Sequence, residues 1–394
     1  MNSLKPMLLT SLKSYNRSQF IKDVTAGIIV AIIALPLSIA LALASGVGPE
    51  AGIFTAIVAG FVISALGGSS VQIAGPTAAF ATIVAGIVAK DGMDGLVIAT
   101  ILAGIFLVLM GLCHFGSLIK FIPFTITTGF TSGIAVTIVI GQLKDFFGLT
   151  YPDGVKPIET TEKFRAVVEN FSTINIDALI VGAVSLAVLI IAPYIFKRIG
   201  ILMVQFLPLK GSTIGNLYTI SNSLPSFHLP AVSLEVVQNA LPNAFTIAVL
   251  AAIESLLSCV VADGMINGKH RSDMELVAQG AGNIASALFG GIPATGAIAR
   301  TAANIKNGGR TPIAGIVHSI TLVIVLVVLM PYAGMIPMPT IAAILFIVAY
   351  NMCQWHTFVK LVKTAPKSDI IVLFASFILT VLFDLVVAIE IGMV

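Results

Sequence analysis

Apolar positions along this chain come in long unbroken runs, and polar positions gather between them. Runs over about residues 24–44, 51–66, 96–113, 122–143, 176–196, 240–262, 274–289, 313–329, 336–352 and 370–387 approach the roughly 20 mainly apolar residues of a bilayer-crossing helix. The pattern predicts an all-α polytopic membrane protein. Two stretches break it. Residues 287–309 read ALFGGIPATGAIARTAANIKNGG, and residues 65–86 read ALGGSSVQIAGPTAAFATIVAG. Each has a Gly-Gly start, a short extended piece, a Pro or Gly hinge and a small-residue helix. Interrupted segments at corresponding places in two halves are the sequence mark of a transporter's binding site.

Smaller features fill in the organisation. Residues 1–22 form an amphipathic, basic lead without the apolar core of a cleavable signal, so the first span is expected to act as a signal anchor. Pro36 kinks that span. Residues 144–175 mix acids and bases and read as an aqueous loop. Residues 199–223 hold a short apolar run that barely reaches membrane thickness. Residues 225–230 (PSFHLP) and 232–237 suggest an extended element.

Composition narrows the class. A chain with 57% hydrophobic residues, 10% charged residues and a mean hydropathy of +1.05 is no soluble domain, since those carry about 25% charge. The net charge of +3 matters through its placement. With the N-terminus inside, Lys5, Lys13, Arg17, Lys22, Lys120, Lys197, Arg198, Lys269, Arg271, Lys306, Arg310, Lys360, Lys363 and Lys367 fall on the cytoplasmic side, as the positive-inside rule requires. If the short seventh segment crosses, the two halves are inverted repeats. Cys113, Cys259 and Cys353 are isolated in apolar surroundings and read as small core residues. Tyr350 and Trp355 read as interfacial anchors.

The candidate chemistry sits at the two interruptions. A helix beginning in mid-membrane offers free N–H groups and a partial positive charge, so Thr77, Ala78 and Ala79 in one half, and Ala297, Ile298 and Ala299 in the other, form a candidate anion site. Thr77 adds a hydroxyl donor and Arg300 a full charge, which inside a membrane marks a pathway or a partner. Glu254 lies in mid-span as a proton acceptor or cation ligand, with Ser258 one turn on along the same face. Ser38, after the Pro36 kink, is a candidate cavity residue. His318 reads as a satisfied core histidine, and Asp263 and Asp384, near span ends, as capping or interfacial residues. An intramembrane hydrolase built from Ser255 or Ser258 with His318 lacks anything to orient the histidine, so no enzyme, cofactor or metal is expected.

The runs LPLSIALALASGVGPEAGIFTAIVAGF, LGGSSVQIAGPTAAF, LPSFHLP, AIESLLSCVVADGM and PATGAIARTAAN resemble, in order, the sulfate permease (SulP) family of anion transporters. The resemblance implies two inverted seven-segment repeats divided into a mobile core and a gate, as in nucleobase transporters. It implies an anion held between the third and tenth segments, here the helices opening at Thr77 and Ala297, with Ser38 alongside and Glu254 as the family's acidic residue of segment eight. Sodium-coupled bicarbonate relatives tend to carry Asp at Glu254 and Thr at Ile298, and the missing hydroxyl favours H+ over Na+.

The domain expectation is a cytoplasmic lead over 1–22 and a transmembrane domain over 23–394. Repeat one covers about 23–223 and an incomplete repeat two about 224–394, with the last segment cut short and the family's STAS domain absent. Expected partners are a small anion (sulfate, bicarbonate or a dicarboxylate), H+ or Na+ as coupling ion and the lipid bilayer of a bacterial plasma membrane, with a homodimer as one admissible assembly and no nucleic acid. A nucleobase symporter and a passive anion channel are the alternatives on the same fold.

Overall fold

The computed structural model describes residues 4–117, 124–152, 157, 159–195, 212–218, 223–230 and 234–382. In chain order the first half holds α1 (Met7–Ser11), α2 (Arg17–Ala44), α3 (Pro49–Leu66), β1 (Ala74–Gly75), α4 (Ala81–Leu112), α5 (Phe124–Phe147), α6 (Thr160–Glu169), α7 (Ile176–Ile195) and α8 (Ile214–Leu217). The second holds α9 (Leu234–Ile266), α10 (Ser272–Leu288), β2 (Thr295–Gly296), α11 (Ile298–Lys306), α12 (Ile313–Ala333), α13 (Met338–Cys353), α14 (Trp355–Thr364) and α15 (Lys367–Leu382). Among the described residues seven helices are long and apolar enough to cross a membrane.

Two compact units share the chain, each assembled from both halves. The first comprises Met1–Ile122 and Asn222–Val328. Its helices approach closely because the contacts are made of small residues. Where α4 meets α10, a Cβ at Gly104 would lie 2.7 Å from the Gly280 carbonyl, so only glycine permits the crossing. Gly92 (φ 70°) splits α4 into an initial half-helix and a following span. The buried Asp23 of α2 accepts from Tyr15, Gln19, the Arg310 amide and both donors of Thr311. This network ties the start of α2 to the turn after α11. Burial and the Asp23 charge together push the Tyr15 hydroxyl up to about 12.

The second unit comprises Pro123–Ser221 and Leu329–Val394. There α13 packs on α5 and α7, and α15 on α5, around Phe146, Ala342, Ala343 and the partly buried Phe147, Leu179, Leu186, Leu189 and Phe346. The short α8 is pinned to the start of α13 through Ile214 N–H to Ile336 O at 3.0 Å and Met338 N–H to Ser212 O at 2.9 Å.

Several expectations change. The first span begins at Arg17 rather than 24, because the Asn16 side chain caps the helix by accepting from the Gln19 amide at 2.8 Å. Residues 234–237 are helical, not extended; they are the first turn of a 33-residue helix that runs on through Pro242. The aqueous loop over 144–175 contains α6, whose Glu159 and Glu162 form a reciprocal capping box. Amphipathic α14 follows α13 after Gln354 in a left-handed conformation, and buries Phe358 against Phe374 and Phe377 while Trp355 stays exposed. Cys113 is exposed, and only Cys259 of the three cysteines is fully buried. Most of the 199–223 region, Asp384 and the close of the last segment lie outside the described residues.

Candidate functional site

The two interrupted segments meet. β1 and β2 pair antiparallel, with Ala74 opposite Gly296 and Gly75 opposite Thr295. The Ala297 amide adds a bond to Ile73 O at 2.9 Å. Extended backbone surrounded by apolar protein must find its hydrogen bonds within the protein, and side chains from the neighbouring helices supply them. Asn283 of α10 both donates to Ala294 O (2.9 Å) and accepts from its amide (2.8 Å). Thr55 of α3 accepts from the Ile292 amide at 2.7 Å. Thr301 and Asn304 of α11 bond the Ile73 amide and the Val71 carbonyl.

At the base of this crossing lies Glu275 of α10, fully buried. Its Oε2 accepts from the amides of Gly68 (2.9 Å) and Ser69 (3.1 Å), and its Oε1 from Gln72 Nε2 (2.8 Å), Gln279 Nε2 (3.0 Å) and Ser255 Oγ (3.4 Å). Every one of these neighbours donates, which is the environment of an ionised carboxylate. Sequence reasoning passed over Glu275, Asn283, Thr301 and Asn304. The available signal was polar residues recurring inside apolar runs, and what they satisfy is backbone that becomes visible only when the strands pair.

From this crossing the two half-helices depart. The first opens with a 3₁₀ turn over Ala78–Phe80 that leads into α4, and the second is α11. Ala78 and Ala79 are buried, Ala297 and Ile298 half-buried, and Ala299 exposed. Thr77 does not stand free: its hydroxyl donates to Glu254 Oε2 at 2.9 Å, which joins the first half-helix to mid-span α9. Glu254 itself is half-buried. Ser258 is buried, and its hydroxyl makes no hydrogen bond among the described residues, so it does not join Thr77 and Glu254.

Arg300 and Ser38 do come together. Arg300 is only 1% exposed, and its Nη2 donates to Ser38 Oγ at 3.2 Å and to Pro76 O at 3.3 Å. The guanidinium therefore lies behind the Pro76–Thr77 step. Gly75 leaves room for it, since a Cβ there would overlap Nη1. His318 departs from expectation: it is fully buried, yet neither ring nitrogen has a hydrogen-bond partner among the described residues. Asp263 accepts from the amide and Nδ1 of His270, at 2.9 and 2.7 Å, beyond the end of the apolar part of α9. Among the described residues no group of three or more His, Cys, Asp or Glu could hold a metal.

Comparison with known proteins places this arrangement. Residues 20–376 match the sulfate permease family. The chain is 41% identical over 396 residues to YvdB of Bacillus subtilis, a protein named for sulfate transport, covering 97% of this chain and 73% of that one. It is 32% identical over 390 residues to the bicarbonate transporter BicA of Picosynechococcus, covering 94% and 68%. The solved transmembrane domain of a cyanobacterial BicA superposes with a TM-score of 0.83 at 28% identity over 95% of this chain and 98% of that one. The fold is also that of murine Slc26a9, with a TM-score of 0.87 at 19% identity over 99% and 69% of the respective chains. The architecture is thus an all-α membrane fold of two inverted seven-segment repeats. An integral membrane protein with this fold, matched along nearly its whole length, belongs to the sulfate permease family.

Proposed function

We propose that the protein is a secondary transporter of a small inorganic or carboxylate anion, coupled to H+ through Glu254. The observation that carries this reading is the bond from Thr77, at the mouth of one half-helix, to the mid-span carboxyl of Glu254. An anion bound at the first turns of the half-helices, near Ala78, Ala79, Ala297, Ile298 and Ala299, gains from their N–H dipoles and from the buried Arg300 charge behind Pro76. An ionised Glu254 beside that anion opposes it. At about 6–8 Å and an effective dielectric of about 20 the repulsion is about 2–3 kcal/mol. A proton on Glu254 removes that penalty, so anion and proton favour each other's binding and travel together.

Transport then requires alternating exposure of this site to the two sides of the membrane. The membrane is the bacterial plasma membrane, with the N-terminus inside. The relatives named for sulfate and bicarbonate transport support an anion as cargo. The bicarbonate transporters among them also favour a second reading, Na+-coupled bicarbonate uptake. Ile298 argues against it by offering no hydroxyl oxygen to a sodium ion.

The test is uptake of labelled sulfate, bicarbonate and fumarate into proteoliposomes, with pH and sodium gradients imposed separately. Uptake of one anion driven by inward H+, with the drive abolished in Glu254→Gln, is the expected result. Full pH dependence in that variant would overturn the coupling role. Downhill flux without concentration under either gradient would identify a channel.

A further inference from the structure

Asp23 and Glu275, fully buried carboxylates of the first unit, each accept five hydrogen bonds. Arg300 and His318 are not satisfied in this way. Arg300 commits only Nη2, and its Nε and Nη1 are buried without a partner among the described residues, as are both ring nitrogens of His318. Buried polar atoms left unpaired are costly and rarely tolerated, so each of these two side chains calls for a partner.

Arg300 and the residue next to His318 meet the same part of α3. The Cβ position of Gly75, against which Arg300 Nη1 rests, is 3.6 Å from Cα of Ala56. The Ala56 carbonyl accepts from Ser319 Oγ at 3.3 Å, so the residue next to His318 touches the same backbone. On either side α12 is pressed against small residues: the Cβ position of Gly60 is 2.9 Å from Ser319 Oγ, and that of Gly27 is 2.9 Å from Val317. His318, fully buried between Val317 and Ser319, is thus held deep among α2, α3 and α12, on the side of α3 that Arg300 also reaches.

We propose that His318 is a positioning residue for Arg300, joined to it through a water trapped between the imidazole and the Nε–Nη1 edge of the guanidinium. The water oxygen accepts from an Arg300 N–H and gives a hydrogen to the unprotonated ring nitrogen of a neutral imidazole. With that edge fixed, the guanidinium plane is set, Nη2 stays on Ser38 and Pro76, and the positive charge stays behind the half-helix mouth. The role in anion affinity rests on the transport reading above; the water bridge does not.

Two measurements on the full chain test this. In a high-resolution cryo-EM map, density for an ordered water within hydrogen-bond distance of both Arg300 and His318 is expected. A map with no such density, or with the two side chains in direct contact, overturns the bridge. In proteoliposomes supplied with whichever of labelled sulfate, bicarbonate or fumarate the wild type carries, His318→Leu is expected to raise the half-saturating concentration about 5–30-fold with maximal rate changed less than about twofold. His318→Gln, which keeps a donor and an acceptor, is expected to recover most of the affinity. Unchanged half-saturation in the Leu variant, or a Gln variant as impaired as Leu, removes the positioning role. A wild type that carries none of the three anions while the water density is present sinks the transport reading and leaves the bridge standing.

Discussion

Replacing Glu275 by Gln changes one oxygen to NH2 in a side chain that keeps its size. The consequence follows from the donors around it. If the new NH2 takes the Oε2 position it faces the amides of Gly68 and Ser69; if it takes Oε1 it faces the amide groups of Gln72 and Gln279. Either way two N–H groups lose their acceptor at a site with no exposure. The negative charge that strengthened the remaining bonds is gone as well. Each orphaned donor costs about 1–3 kcal/mol, and a local flip of Gln279 recovers part of this, so the net loss is about 2–4 kcal/mol. For a unit of about 150–250 residues, about 2–4 °C per kcal/mol makes this a fall of roughly 5–15 °C in thermal midpoint. The assay is thermal unfolding of purified protein in detergent at fixed scan rate, with the exposed Glu169→Gln as control. That surface pair with Arg165 is worth about 0–1 kcal/mol, so the control is expected within about 2 °C of wild type. A Glu275→Gln midpoint indistinguishable from wild type would refute the claim that this carboxylate holds the first interrupted segment in place.

Arg300→Ala removes a full charge from behind the half-helix mouth and is expected to weaken anion binding about 30-fold, or about 2 kcal/mol; unchanged affinity in a binding titration would take Arg300 out of the site. Gly296→Ala places a methyl group into the Gln72 side-chain amide, which is held in turn by Glu275 and Ser255. A loss of about 1–3 kcal/mol, read as a lowered midpoint in the same unfolding assay, is expected. The Tyr15 hydroxyl, held up to about 12 by burial and by Asp23, contributes stability that is intact below pH 10 and lost as pH rises from 10 toward 12. Tyr15→Phe is expected to flatten that alkaline loss, and an unchanged pH profile would separate Tyr15 from it.

Much of this protein was legible in the order of its residues, for reasons of scale. A membrane span is a local property, since about 20 apolar residues suffice to specify one, and the runs at 51–66, 176–196 and 313–329 became α3, α7 and α12 nearly end for end. The interrupted segments were legible because glycine and proline act on their own backbone. The ordered motifs were enough to indicate the family. Boundaries set by single side chains, such as the Asn16 cap that starts α2 early, were not, because a cap competes with apolar patterning over only a few residues.

Everything that depends on two segments meeting waited for tertiary structure. Sequence placed Thr77 and Glu254 as separate candidates, 177 residues apart, and only packing made them one hydrogen-bonded pair. It paired Glu254 with Ser258 by helical spacing, but a shared face says nothing of which neighbouring helix fills the gap, and Thr77 did. It identified Arg300 as a buried charge without showing that Ser38 and the Pro76 carbonyl would hold it. It treated His318 as satisfied because buried histidines usually are, whereas packing buried it with both nitrogens unpaired among the described residues. Hydrophobicity is read one residue at a time, so the chain alone determined what lies in the membrane. Hydrogen bonds need a partner and an angle, so the tertiary structure alone decided which polar groups in it come together at the candidate site.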